Sequence, residues 1–402
     1  MTFGILALII VAGLVGPLLS GIRRLSLPLV VGEIFAGIAL GTSGFKLINT
    51  GDPTLSFLSD VGFAMLMFLV GTHLPLRDPN LRKALRTSLI ATGLSFALAI
   101  PAGFLLAHFT GIAAPIFILL LANSSAAVAM PIVHERKLGG ATVLFTTTWI
   151  AAADTLTIVA LPLAMSTGKT VTVAIGASIV TGAAGMFFFA LKLFRSSGVG
   201  DHLRQLSKER HWALDLRMSL AILFILGTLA VKFGTSVLVA GFAAGAIVSL
   251  VGEPRRFTKQ LIGIAEGFFV PLFFVVLGAK INVIALVKSP AMLMLTGLIV
   301  GSNVVVHVIV ARLVKLPLSS GLVAAAELGL PAAVVSIGLA TGLLQSGQAA
   351  AIIAASMLSL IACSIGAAVL SKNPANVEPD KHDKDDKPGP GQIDHKSRIN
   401  ED

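Results

Sequence analysis

Apolar runs long enough to cross a bilayer follow one another along almost the whole chain, with only short loops between them. A spanning helix takes about 20 apolar residues. By that measure about thirteen segments can be marked: 3–20, 27–45, 54–72, 82–108, 113–133, 140–165, 170–194, 212–232, 234–251, 262–279, 285–312, 317–345 and 348–371. Lipid cannot hydrogen-bond an open backbone, so a spanning chain must be helical or a closed barrel. The period-two alternation of a barrel is absent here. Charged residues make up 12% of the chain and hydrophobic ones 55%, where a soluble domain carries about 25% charged. The fold class is therefore an all-α integral membrane protein. Met1 to Ser20 lacks a basic start and a small-residue cleavage site and reads as a first span. Cys363, the one cysteine, excludes an intramolecular disulfide and a multi-cysteine metal site.

The net charge of +10 is a matter of topology and gives no reason to expect nucleic acid. Loops after the odd segments hold Arg23 and Arg24, Arg77 to Arg86, Arg136 and Lys137, Lys208 and Arg210, Arg255 to Lys259, and Arg312 and Lys315. Those after even segments hold only isolated lysines, such as Lys46 and Lys169. The positive-inside rule then puts the N-terminus outside and the C-terminus in the cytoplasm, in a cell membrane for which a bacterial inner membrane is the natural host. Beyond residue 372 the chain turns charged and rich in Pro and Gly, so 373–402 is expected to be a disordered cytoplasmic tail, with no attached ligand-gating domain.

Thirteen spans with a connector at 170–194 divide into two six-helix halves of opposite orientation, an inverted repeat of the secondary-transporter kind. The fifth segment of each half is interrupted by polar residues and a proline: Asn123, Ser124, Ser125 and Pro131 in one, Glu327, Gly329 and Pro331 in the other. Paired interruptions of this sort point to two broken, crossing helices around a midplane ion site.

Asp154 lies mid-span in "TTTWIAAADTLTIVALPLA", beside the first interruption. A charge at the bilayer centre costs about 3 kcal/mol even on the lenient insertion scale, so this carboxylate must face a cavity, a partner or a proton. Burial disfavours the ionised form of any carboxylate. One poised between its two forms holds a proton or a small cation and not both. That competition couples two opposing fluxes if the site opens alternately to each side. Thr147 and Thr157 fall near its helical face and Thr155 adjoins it. With Asn123, Ser124 and Ser125, these supply candidate oxygen ligands for Na⁺ or K⁺, the alternative for each threonine being a bond to its own helix.

Five stretches in order resemble the monovalent cation/proton antiporters: "LPLVVGEIFAGIALGTSG", "VGFAMLMFLVGTHL", "ANSSAAVAMPIVHE", "FFVPLFFVVLGAKIN" and "AAELGLPAAVVSIGLATGLL". They are spread over residues 27–345. The resemblance implies a sodium/proton antiporter-like fold in a homodimer, built from a transmembrane domain of 1–372. Its dimerisation part would be about 1–72 and 212–280, and its core about 82–165 and 285–371, moving as an elevator. Asp154 would be the ion- and proton-binding aspartate. The chain departs from electrogenic members in two places: Ala153 precedes Asp154 where a second acid would stand, and Asn303 occupies the position of the partner lysine. Electroneutral one-for-one exchange is the resulting expectation. Glu327 and His307 are read as support for the core, His307 as a satisfied structural histidine with pH sensing as the alternative, and Glu327 as pairing with Asn303 or capping a half-helix, with ion contact as the alternative.

No phosphate-cradling lysine loop, zinc-protease motif or nucleophile elbow occurs, so neither an enzyme nor a cofactor is expected. The alternatives are a potassium-efflux type antiporter, an organic-anion/sodium symporter of similar architecture, and a channel or sensor. The last has no need of a titrating midplane acid.

Overall fold

The computed structural model describes residues 1–20, 29–72, 81–165, 170–210, 212–233, 236–251 and 261–377. Arg23, Arg24, Arg77, Arg255, Arg256, Lys259 and the tail from 378 onward lie outside the described residues. Helices account for nearly all the rest, and among the described residues the only bridge is an isolated one between Leu138 and Val377. Among the described residues, nine helical stretches are long and apolar enough to cross a bilayer by themselves, and three shorter apolar helices accompany them.

The helices pack in two groups. In one, Pro53–Thr72 lies along Val237–Val251 and against Val270–Lys280, which also packs on Leu29–Leu40. Small residues permit these close crossings: a Cβ built on Gly245 would stand 3.0 Å from the Cα of Gly71, and one on Gly278 would stand 3.1 Å from the Cα of Gly37. Phe63 stacks on Phe273 at 4.8 Å between ring centroids across the same group. Asp52 caps the Pro53–Thr72 helix, its Oδ1 accepting from the N–H of Thr54 at 2.9 Å and of Leu55 at 3.1 Å.

The second group joins Leu81–Thr110, Ala114–Ala122, Gly140–Ala164, Pro290–Leu313, Leu318–Ala324 and Ser346–Leu370. Gly140–Ala164 also touches Thr170–Ser196 and Val237–Val251, so the helix bearing Asp154 borders both groups.

Both predicted interruptions are real breaks. Ala114–Ala122 ends at Asn123, residues 123–125 are non-helical with Asn123 and Ser125 extended, and Ala126–Glu135 resumes the helix. Leu318–Ala324 stops before residues 325–328, and Gly329–Thr341 continues. The prolines do not make the breaks, contrary to their use as markers in the sequence. Pro131 sits inside the second half-helix. Pro331 is the third residue of its own half-helix, where the missing N–H has no intrahelical acceptor to lose.

The stretch expected to be tail from residue 373 begins with an ordered turn. Pro374–Asn376 forms a 3-10 turn, the N–H of Gly139 donates to the Asn376 carbonyl at 2.8 Å, and Asn376 is buried. These residues pack beneath the start of Gly140–Ala164. Gly140 takes φ +83 there, and an added Cβ would come within 2.5 Å of the Ala375 carbonyl oxygen.

Candidate functional site

A break in a helix exposes backbone groups that the helix itself no longer satisfies, and both breaks lie buried. The three residues of the first, Asn123, Ser124 and Ser125, are at most 1% exposed, and Glu327 in the second is equally buried. Their polar groups must therefore find partners within the protein.

The first partner is Asp154, 4% exposed, whose Oδ2 accepts from the N–H of Ala126 at 2.9 Å. Ala126 is the opening residue of a ten-residue half-helix with no side-chain cap of its own. Asp154 thus caps a helix from a neighbouring span. A carboxylate at that end meets an N–H donor and the positive end of the helix dipole together, worth about 2 kcal/mol in a favourable, partly buried geometry. The second partner is Thr157, one turn beyond Asp154. Its hydroxyl lies 2.8 Å from Asn123 Oδ1, as well as 2.9 Å from the Ala153 carbonyl of its own helix. Asn123 Nδ2 is buried without a partner.

The second break releases three successive carbonyls at the end of Leu318–Ala324, each met by a different donor. Ser124 Oγ donates to Ala324 O at 2.5 Å, Asn303 Nδ2 to Ala325 O at 2.8 Å, and Ser125 N–H to Ala326 O at 2.6 Å. The two broken helices are fastened to each other where they cross. Asn303 therefore serves the second break directly and does not pair with Glu327. The Glu327 N–H donates to Ser359 Oγ at 3.0 Å, while its Oε1 is buried without a partner.

His307 completes the cluster. Its Nδ1 lies 2.9 Å from the carbonyl of Asn303, its Nε2 3.2 Å from Ser124 Oγ, and its ring stacks on Trp149 at 5.6 Å. Half-helix Leu318–Ala324 approaches this point closely because residue 321 is glycine: a Cβ there would stand 2.6 Å from the His307 carbonyl oxygen.

Two of the expected ligands are not brought to the acid. Thr147 and Thr155 are half-buried and donate to Leu144 O at 3.1 Å and to Ala151 O at 2.7 Å, bonds to their own helix. The Ser124 hydroxyl is engaged by the second break. Sequence reasoning gave no sign of Ser359, of the alanine carbonyls or of the Ser124–His307 contact, since alanine offers no side-chain signal and the contact spans 183 residues. In the other helix group, Glu33 on Leu29–Leu40 is buried with Oε2 unpartnered.

Against known proteins, the profile of a family described as "Sodium/hydrogen exchanger, transmembrane" matches residues 7–372. A relative described as "Putative Na(+)/H(+) antiporter YjbQ" from Bacillus subtilis is 24% identical over 387 residues, covering 89% of this chain and 61% of its own length. A "Probable Na(+)/H(+) antiporter 3" from Methanocaldococcus jannaschii is 26% identical, covering 65% of this chain and 68% of its own. The "Glutathione-regulated potassium-efflux system protein KefC" of Salmonella typhi is 27% identical over 73% of this chain, which spans 48% of that protein. Among solved structures, the sodium proton antiporter MjNhaP1 of Methanocaldococcus jannaschii superposes with a TM-score of 0.60 at 15% identity, covering 92% of this chain and 96% of that one.

Proposed function

Because the chain belongs to the transmembrane sodium/hydrogen exchanger family, we propose that it is a secondary active antiporter exchanging a monovalent cation, Na⁺ or K⁺, for protons across a cell membrane. Asp154 is the exchanging group. The observation that carries this reading is the 2.9 Å bond from the Ala126 N–H to Asp154 Oδ2. A mid-span carboxylate is held at the positive end of a half-helix, in a setting that tolerates both of its forms. Ionised, it keeps the N–H bond and the helix dipole and offers its oxygens to a cation. Protonated, it sheds the cost of a buried charge. Occupancy by one excludes the other.

Asn123 and the carbonyls of the first break are the remaining oxygens in reach, and the Thr157 hydroxyl fixes the Asn123 side chain. Ser124 is left out of this set, because its hydroxyl is committed to Ala324 and His307. The two packing groups fit a division into a scaffold, about 1–72 and 212–280, through which a homodimer forms, and a moving core, about 82–165 and 285–371. The core carries Asp154 past the scaffold as an elevator. One acid, with Asn303 where a lysine would stand, leaves the exchange electroneutral. The N-terminus lies outside and the C-terminal end in the cytoplasm, by the distribution of basic loops. The likeness to KefC keeps K⁺ beside Na⁺ as a candidate cation.

Fluorescence dequenching in everted vesicles tests the reading. Protein-dependent proton movement on addition of Na⁺, Li⁺ or K⁺ is expected, together with its loss in Asp154→Asn. Unchanged flux in that variant would transfer the function to another class, a channel or a sensor.

A further inference from the structure

The hydrogens around His307 do not add up for a neutral ring. Asn303 O and Ala324 O are carbonyl oxygens and can only accept. Nδ1 at 2.9 Å from the first must donate, and Ser124, at 2.5 Å from the second, must spend its single hydrogen there. Nε2, 3.2 Å from Ser124 Oγ, then finds no hydrogen on the serine and has to supply one. Either neutral tautomer leaves two lone pairs facing each other, at Asn303 or at Ser124. Only the imidazolium, a donor at both nitrogens, satisfies every atom.

Two further features favour that cation. It stands, through Ser124, at the C-terminal end of Leu318–Ala324, the negative end of a helix dipole. Its ring also stacks on Trp149, the aromatic face best suited to a positive charge. Burial opposes it. Among the described residues no carboxylate is ion-paired with the ring. The elements packed on the His307 helix carry Arg86 and His108 on Leu81–Thr110 and Cys363 on Ser346–Leu370, with Arg312 on the helix itself. Asp154 lies on the Trp149 helix and Glu327 at the second break. None of these is hydrogen-bonded to the ring.

We propose that His307 is a second proton-binding residue of the core, whose protonation fastens the first break to the end of Leu318–Ala324 and whose deprotonation releases it. When a proton leaves Nε2 for water, the Ser124 hydrogen turns from Ala324 O to the bared nitrogen, and that carbonyl loses its donor. Ser124 adjoins Asn123, so the change reaches the Asp154 site through one peptide unit. His307 is a positioning residue, setting the pH range of exchange without its proton being carried in each turnover. This consequence rests on the antiport reading, whereas the protonation itself does not.

The tryptophan beside the ring reports on it. The chain has two tryptophans, and Trp212→Phe leaves Trp149 alone. Imidazolium quenches indole emission, so the purified Trp212→Phe protein should show a one-proton fluorescence step with pH. The step should persist in Asp154→Asn and vanish in His307→Gln. In everted vesicles, His307→Gln should shift the pH profile of exchange by at least about one unit, a tenfold change in proton activity. A flat fluorescence titration of folded Trp212→Phe protein would overturn the proposal, as would a step that survives His307→Gln or a wild-type pH profile in that variant. Should wild-type vesicles show no cation-dependent flux while the fluorescence step is present, the antiport reading fails and the protonation site stands.

Discussion

The N–H of Ser125 donates to the carbonyl of Ala326 across 2.6 Å, joining the two interrupted helices main chain to main chain. No side chain takes part, so the crossing point is insensitive to what residue 125 carries and sensitive to whether it has an N–H. Ser125→Ala should melt within a few degrees of wild type. Ser125→Pro removes the donor and strands a buried carbonyl, a penalty of about 1–3 kcal/mol before any backbone distortion. Thermal unfolding of the two purified variants separates these outcomes.

Asp154→Asn keeps an oxygen that can accept from Ala126, so the half-helix retains its cap and loses only the interaction with the charge, at most about 2 kcal/mol. The variant should fold and reach the membrane at normal levels while its cation-dependent dequenching falls to that of empty vesicles. Loss of folding together with flux would mean that the acid serves structure.

Thr157 donates to Asn123 and spans the gap between the acid's helix and the first break. Thr157→Val leaves the buried Asn123 oxygen without its donor, at about 1–3 kcal/mol. A lower melting temperature and a several-fold higher apparent KM for the cation are expected. Thr157→Ser should restore both, because it returns the hydroxyl.

Two glycines on adjoining helices make a controlled pair. A Cβ on Gly321 would meet the His307 carbonyl at 2.6 Å and the Val308 Cα at 2.7 Å, while one on Gly301 has nothing within 4 Å. Gly321→Ala should destabilise by about 1–3 kcal/mol through overpacking. Gly301→Ala should be neutral or stabilising by about 0.5–1 kcal/mol, the helix-interior cost of glycine. Equal effects would show that the contact at His307 yields freely.

The proposed exchange through a single acid would move one positive charge each way. Purified protein in liposomes should therefore drive cation-dependent pH changes with no accompanying current on a solid-supported membrane. A sustained, transport-linked current would overturn electroneutrality and leave the role of Asp154 intact.

Much of this was readable from the sequence because lipid imposes so few solutions. Apolar length gave the helices, and the cost of a charge in hydrocarbon singled out Asp154. The polar run at Asn123 to Ser125 marked the first break at its true position. At the second break Glu327 falls inside the interruption at residues 325–328, whereas Pro331 misled, because it occupies the first turn of the following half-helix where it does no harm. His307 read first as a satisfied structural histidine and only second as a pH sensor. Its hydrogen-bond arithmetic depends on carbonyls from two other segments, which only the folded chain brings together. Thr147 and Thr155 were placed by helical spacing, and spacing cannot tell a hydroxyl aimed at a neighbour from one bonded to the preceding turn.

The bridge from Leu138 to Val377 and the bond from Gly139 to Asn376 anchor the end of the last helix under the first turn of Gly140–Ala164. The polypeptide leaving the membrane domain therefore departs from the foot of the rod that bears the acid, and not from the helix group around Pro53–Thr72. On the proposed elevator cycle, a tether, reporter or antibody fragment attached just past that knot would travel with the cargo, giving a handle on the stroke itself.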